Sequence, residues 1–158
     1  MMKRLLLLLV LLSVLLSCGG RKQIEKQLQL GNYDTAISNA WKKLKKNKSE
    51  KRKQHYALLL KDAFAQVVNR DLKTINHFKK DDNPELLKSI FELYVKLDTR
   101  QEAIKSYLPM KIGGRIFNLN FIDYSKDIKQ YQFKVSNHLF NNGTTLLFSE
   151  DKYNARKA

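Results

Sequence analysis

Cysteine is nearly absent: Cys18 is the only one in 158 residues. No disulfide can form within the chain, so the fold does not rely on one. A cysteine-rich metal pattern is equally excluded. Proline is scarce too, and Pro84 and Pro109 are the only two. Pro84 suits a first helical turn and Pro109 stops a helix. Histidine occurs three times, at His55, His77 and His138, and no His-Glu-x-x-His pattern is present. The sequence has no Gly-x-Ser-x-Gly elbow, and Gly113-Gly114 lacks the Lys-Ser/Thr of a phosphate loop. The paired acids Asp81-Asp82 and Glu150-Asp151 fall at turns and read as helix caps. No residue set points to catalysis, so a non-enzymatic role is expected, with no metal and no cofactor; an envelope hydrolase ranks well below it.

Negative charge is also in short supply. Fifteen acidic residues face thirty lysines and arginines, for a net charge of +15. Such a balance favours anionic partners such as lipid head groups or acidic protein surfaces. Long apolar runs are limited to one, from Leu5 to Leu16, broken only by Ser13 and preceded by Lys3-Arg4. A basic start followed by a short apolar stretch is a secretory signal, and this one is shorter than the ~20 residues a membrane span needs. An export signal argues against nucleic acid as the partner.

The run ends in Leu15-Leu16-Ser17-Cys18-Gly19-Gly20. That string resembles the lipobox of bacterial lipoproteins. The resemblance implies that residues 1–17 are removed, that the Cys18 thiol takes a diacylglycerol, and that the new amino group can be acylated. Two or three acyl chains hold a protein firmly to a bilayer, so the expected partner at this end is the membrane itself. Gly19, where some lipoproteins carry a retention Asp, leans towards the outer membrane facing the periplasm. Loss of the leader would take two basic residues and no acidic ones. It would leave a 141-residue chain at +13, enough for one domain.

Residues 18–23 read as a lipidated tether. From Ile24 the apolar spacing is helical and continues, with interruptions, to Leu108. Gly31-Asn32 ends the first helix. Ala36, Ile37, Ala40, Trp41 and Leu44 form the stripe of the second. Ser49-Glu50 begins a long third helix with Tyr56, Leu59, Leu60, Ala63, Phe64, Val67, Leu72, Ile75 and Phe78 along it. Asn83-Pro84 opens a further helix. A turn is expected near Asp98-Thr99. Residues 110–121 are β-like, two segments joined by Gly113-Gly114, and are expected as a small hairpin insertion. In 122–158 helix returns from about Tyr124 to Phe140; Asn141-Asn142-Gly143 reads either as an interruption or as a tight packing point, Thr144 to Phe148 continues, a turn falls near Ser149-Glu150-Asp151, and a final helix starts with Tyr153. That last helix is about one turn long, which suggests a truncated chain.

Gly31-Asn32-Tyr33-Asp34-Thr35-Ala36-Ile37 resembles the turn and second-helix start of a tetratricopeptide repeat, whose period is about 34 residues. Ala103-Ile104 with Tyr107 is similar to the same place, and Gly143 and Leu147 with Tyr153 and Ala155 give a third trace. The resemblance implies a mainly α fold of antiparallel helical hairpins over 24–109 with the β-hairpin inserted, and a surface that binds an unidentified envelope protein. A generic helical bundle is the alternative. One charge feature stands out. Lys42, Lys43, Lys45, Lys46, Lys48, Lys51, Arg52 and Lys53 make eight cations in twelve residues. They read either as a solvated turn between helices or as a contact for anionic lipid, and the alternative to a protein-binding role is a structural membrane- or cell-wall-associated lipoprotein that uses this basic face.

Overall fold

The computed structural model describes residues 19–81, 83–148 and 156. The leader expected over residues 1–17, Cys18, Asp82, and the turn and final helix expected after Phe148 lie outside the described residues. Among those described, the chain is mainly helical with one two-stranded antiparallel sheet. The order is α1 (Gly19–Gln29), α2 (Tyr33–Lys46), α3 (Glu50–Phe78), α4 (Leu86–Lys105), β1 (Met110–Ile112), β2 (Arg115–Phe117) and α5 (Ser125–Leu147). The chain divides into two compact units, with the division falling inside α3 between Asn69 and Arg70. One unit holds α1, α2, the first part of α3 and the hairpin. The other holds the rest of α3, α4 and α5.

In the first unit, α1 begins at Gly19, so the segment expected as a tether is already helical. Arg21 Nε donates to Glu25 Oε1 at 2.7 Å one turn on, which supports helix there. Gly31, at φ +73°, ends α1 in a Schellman turn. Its N–H donates to the Leu28 carbonyl at 3.0 Å, and Asn32 N–H reaches the Gln27 carbonyl at 2.9 Å. The chain reverses there and α2 packs on α1. Ala36 and Ala40 are fully buried, and Ile37, Trp41 and Leu44 complete the stripe against Ile24 and Leu28. Small side chains at the point of closest approach let the large ones interdigitate. On α3, Ala57, Leu60, Ala63, Phe64 and Val67 continue the core.

The hairpin pairs Met110 with Phe117 and Ile112 with Arg115. Gly113 and Gly114 both have positive φ, +55° and +78°, as a tight hairpin turn requires. Strand pairing stops at Phe117, yet burial still alternates beyond it. Leu119 is buried and Asn118 and Asn120 are exposed.

In the second unit, α4 packs on α5. Ile90, Tyr94, Leu97, Gln101 and Ile104 form the buried stripe of α4. Tyr94 stands at its centre, with ring centroids 5.8 Å from both Tyr124 and Tyr131. The helix expected to open at Asn83-Pro84 begins two residues later, at Leu86, with Glu85 at the cap position; Asn83 instead holds the turn before it, its side chain accepting the Glu85 N–H at 3.0 Å. Three other expectations from the sequence are corrected by the structure. First, α4 runs through Asp98-Thr99 without a turn, since Thr99 Oγ1 bonds back to the Val95 carbonyl at 2.8 Å and Asp98 accepts from Gln101 at 3.3 Å. Their hydroxyl and carboxylate are satisfied inside the helix, so they no longer compete with it. Second, of the two readings of Asn141-Asn142-Gly143 the interruption does not occur: α5 continues through it, with Thr144 and Thr145 hydroxyls bonding to the Phe140 and Asn141 carbonyls. Third, Ala103 is exposed and Tyr107 largely so. That trace therefore lacks the close-packed small residue that Ala36 supplies.

Candidate functional site

Helix geometry gathers the basic run. The last turn of α2 and the first turn of α3 flank Asn47-Lys48-Ser49. The cations at 42, 43, 45, 46, 48, 51 and 52 are exposed, and Lys53 is half-buried. Lys43, Lys45 and Lys46 also favour the negative end of α2. Lys45 Nζ lies 5.2 Å from the centre of the Trp41 ring. Glu50 is the single carboxylate in the run. Lys53 Nζ donates to its Oε1 at 2.9 Å, and the Gly113 N–H donates to its Oε2 at 2.6 Å. The Lys53 bond, then the Gly113 bond, holds the Glu50 carboxyl below its usual range. Glu50 therefore ties the basic turn to the tip of the β-hairpin.

Beside that tie lies a groove of about 400 Å³ between α3 and the hairpin. Gln54, Ala57 and Leu58 form one wall, and Ile112, Arg115, Ile116 and Phe117 the other. The backbone at Gly113 comes so close to Gln54 that a Cβ there would fall 1.9 Å from Nε2. Leu58 and Ile116 are mostly exposed. The groove can take an apolar side chain, with the Arg115 guanidinium available to a carboxylate. Sequence reasoning missed it. The signal was there in Leu58, which lies off the buried stripe of α3, and in Ile116, on the strand face away from Phe117 and Leu119.

The second unit holds a buried charge. Asp71 is 2% exposed. Arg100 Nη1 reaches its Oδ2 at 2.6 Å and Arg70 Nε its Oδ1 at 2.8 Å. Asp71 takes a core position on α3, four residues after Val67 and four before Ile75. A carboxylate within an apolar i, i+4 row is a readable sign of a buried ion pair, and it went unread. Nearby, Lys79 Nζ donates to Tyr94 Oη at 2.8 Å and lies 5.1 and 5.3 Å from the Tyr94 and Tyr131 ring centres. Burial, with the Asp127 carboxylate, pushes the Tyr94 hydroxyl up to about 12. Tyr124 is raised by burial, then by Tyr94 and the surrounding carboxylates. Its hydroxyl has no hydrogen-bond partner among the described residues. The polar bonds around Asp71 and Tyr94 are structural: they join α3, α4 and α5.

A cavity of about 300 Å³ lies against Asp98, Glu102, Lys105 and Asp123. Its groups are committed elsewhere. Glu102 accepts from Lys105 at 2.6 Å, and Asp123 accepts the Ser125 N–H at 2.9 Å at the start of α5. The histidines do not meet. His55 and His77 are exposed, while His138 Nε2 lies 3.3 Å from Glu85 Oε1 and 3.1 Å from Asn142 Nδ2. Among the described residues no group of three His, Cys, Asp or Glu could hold a metal ion. No described helix is long and apolar enough to cross a membrane. No family model, curated protein or solved structure matches the chain.

Proposed function

We propose that this chain is a lipid-anchored protein of the bacterial cell envelope, and that its helical body is a non-catalytic module that binds a protein partner. The observation that carries the reading is the string Leu15-Leu16-Ser17-Cys18 at the end of a short apolar leader. Cleavage before Cys18 would place the acylated residue one position ahead of α1. The module would then stand close to the bilayer, with Gly19 favouring the outer membrane. A tether concentrates a binding module where its partner lies, which strengthens weak binding without adding new interactions. The groove between α3 and the hairpin supports the binding half of the reading. It combines exposed apolar side chains with a positive charge, a pattern of small recognition sites. The packing of α1 on α2 as a helical hairpin is compatible with a scaffolding role.

Detergent partition tests the anchor. The wild-type chain, expressed in an envelope-exporting bacterium, should enter the detergent phase of a cloud-point separation, and Cys18→Ser should leave it. A photocrosslinker at Leu58 tests the partner. It should yield one reproducible adduct in the envelope that Ile116→Asp abolishes; a smear insensitive to Ile116→Asp would sink the binding assignment.

A second reading has its own support. The exposed cations of the α2–α3 turn could rest on anionic head groups, each worth about 1 kcal/mol near a strongly anionic surface. Vesicle binding by the Cys18→Ser chain that does not fall with salt would rule that reading out.

A further inference from the structure

The outward face of α5 is unlike the rest of the surface. Phe133, Phe140 and Leu147 are 67%, 74% and 57% exposed, and Phe148, at the end of the helix, is 80% exposed. The first three are seven residues apart. On an α-helix that spacing keeps them within about 20° of one line, about 10 Å apart along the axis. Tyr131, the buried residue of α5 that packs on Tyr94, lies on the opposite side. Large apolar side chains aligned in this way form a continuous strip.

Charge on this face is one-sided. In a chain with 28% charged residues, positions 135–148 contain no Asp, Glu, Lys or Arg. A solvated surface helix normally carries charges there. Between Phe133 and Phe140 the exposed polar residues on the strip's side, Ser136 and Asn137, are neutral, while Lys134 lies about 100° round the helix with its Nζ 5.0 Å from the Tyr131 ring centre. The one carboxylate of α5, Asp127, sits 3.9 Å from Lys79, on the side that meets Tyr94. Lys126 and Lys129 are exposed on the same face as the strip. The face is thus apolar along most of its length and cationic at its start; the carboxylate nearest those lysines, Asp123, lies just ahead of α5, where it accepts the Ser125 N–H at 2.9 Å.

We propose that this face of α5 lies on an anionic lipid surface, with Phe133, Phe140 and Leu147 in the interface and Lys126 and Lys129 on the head groups. Aromatic and aliphatic side chains on one face with lysines beside them suit a helix lying in the plane of a bilayer. Charge complementarity selects this occupant. A second copy would bring two strongly basic chains together, +13 each without residues 1–17 and +15 with them, and its α5 face offers no carboxylate to Lys126 or Lys129. The inference does not rest on acylation of Cys18. It concerns which face touches lipid, not what tethers the chain.

The test uses the full chain with Cys18→Ser and Ser136→Cys, labelled at position 136 with an environment-sensitive fluorophore. Vesicles of phosphatidylcholine with and without phosphatidylglycerol are added, some carrying a quencher in their acyl chains. With anionic vesicles the emission should shift to the blue and be quenched; with neutral vesicles both changes should be much smaller. Phe133→Asn/Phe140→Asn/Leu147→Asn should keep the helical ellipticity. It should weaken the response by roughly a hundredfold in lipid concentration, because three large apolar side chains no longer enter the interface. Because the readout is local to α5, attachment through the leader or a lipid does not produce it. The proposal is overturned if anionic vesicles leave the label unchanged, or if neutral and anionic vesicles act alike. It is also overturned if the label becomes protected without lipid as protein concentration rises, or only when envelope proteins are added. Those last results assign the face to a second copy or to a protein partner.

Discussion

Replacing Arg100 by Met removes one side of the most buried ion pair described in the chain. The Asp71 side chain is 3% exposed and that of Arg100 is 11% exposed, with 2.6 Å between Oδ2 and Nη1. Breaking a buried pair from one side costs about 3–5 kcal/mol, because the remaining charge stays desolvated. Arg70 keeps its own bond to Oδ1 at 2.8 Å. That places the expected loss near the low end, about 3 kcal/mol. In a chain of this size such a loss lowers the melting temperature by about 6–12 °C. Urea and thermal unfolding followed by far-ultraviolet ellipticity measure it. The double variant Asp71→Leu/Arg100→Met removes both charges and should recover most of the loss, since an apolar pair of similar size avoids the desolvation altogether. The reasoning is refuted if Arg100→Met costs less than about 1 kcal/mol, the range of an exposed pair. It is refuted equally if the double variant is no more stable than the single one.

Three further outcomes rest on other parts of the fold. Gln101 exchanges two hydrogen bonds with the backbone of Ile122, Nε2 to the carbonyl at 2.6 Å and Oε1 from the N–H at 3.1 Å; Gln101→Ala should cost about 2 kcal/mol in urea unfolding and speed amide exchange at Ile122. Ala36→Leu puts a large side chain where none has room, and should cost about 1–3 kcal/mol or more by the same assay. Glu50 has its carboxyl lowered by Lys53 and Gly113, so its clamp on the hairpin is fully present above the ordinary value of 4.5 and is lost as pH falls through the lower value of the folded state. Amide exchange at Gly113, referenced to the intrinsic rate at each pH, should therefore rise on acidification, and Glu50→Gln should show that loosening already at neutral pH.

Much of the fold could be read from spacing alone. The α2 stripe is legible because its five apolar residues recur at helical spacing and all five are buried. Gly31 and the Gly113-Gly114 pair are legible because each needs a positive φ that other residues resist. Helix length was harder. Asp98-Thr99 and Asn141-Asn142-Gly143 have the composition of turns, and only side-chain bonds within α4 and α5 show why the helices pass through them. Long-range polar partners were not legible at all. Asp71 and Arg100 are 29 residues apart, and Glu50 and Gly113 are 63 apart; no local pattern names such pairs. For the groove beside Gln54, Leu58 and Ile116 could be read singly as apolar residues off the buried faces, but not as facing each other, since its walls come from distant parts of the chain.

The central claim is that the mature protein begins at an acylated Cys18, and the mass of the N-terminal peptide of the envelope-purified chain tests it most directly. The account predicts a peptide that starts at Cys18 and carries a diacylglycerol on sulfur, with or without a third chain on its amino group. A peptide that still contains Leu15-Leu16-Ser17 ahead of an unmodified thiol would contradict it.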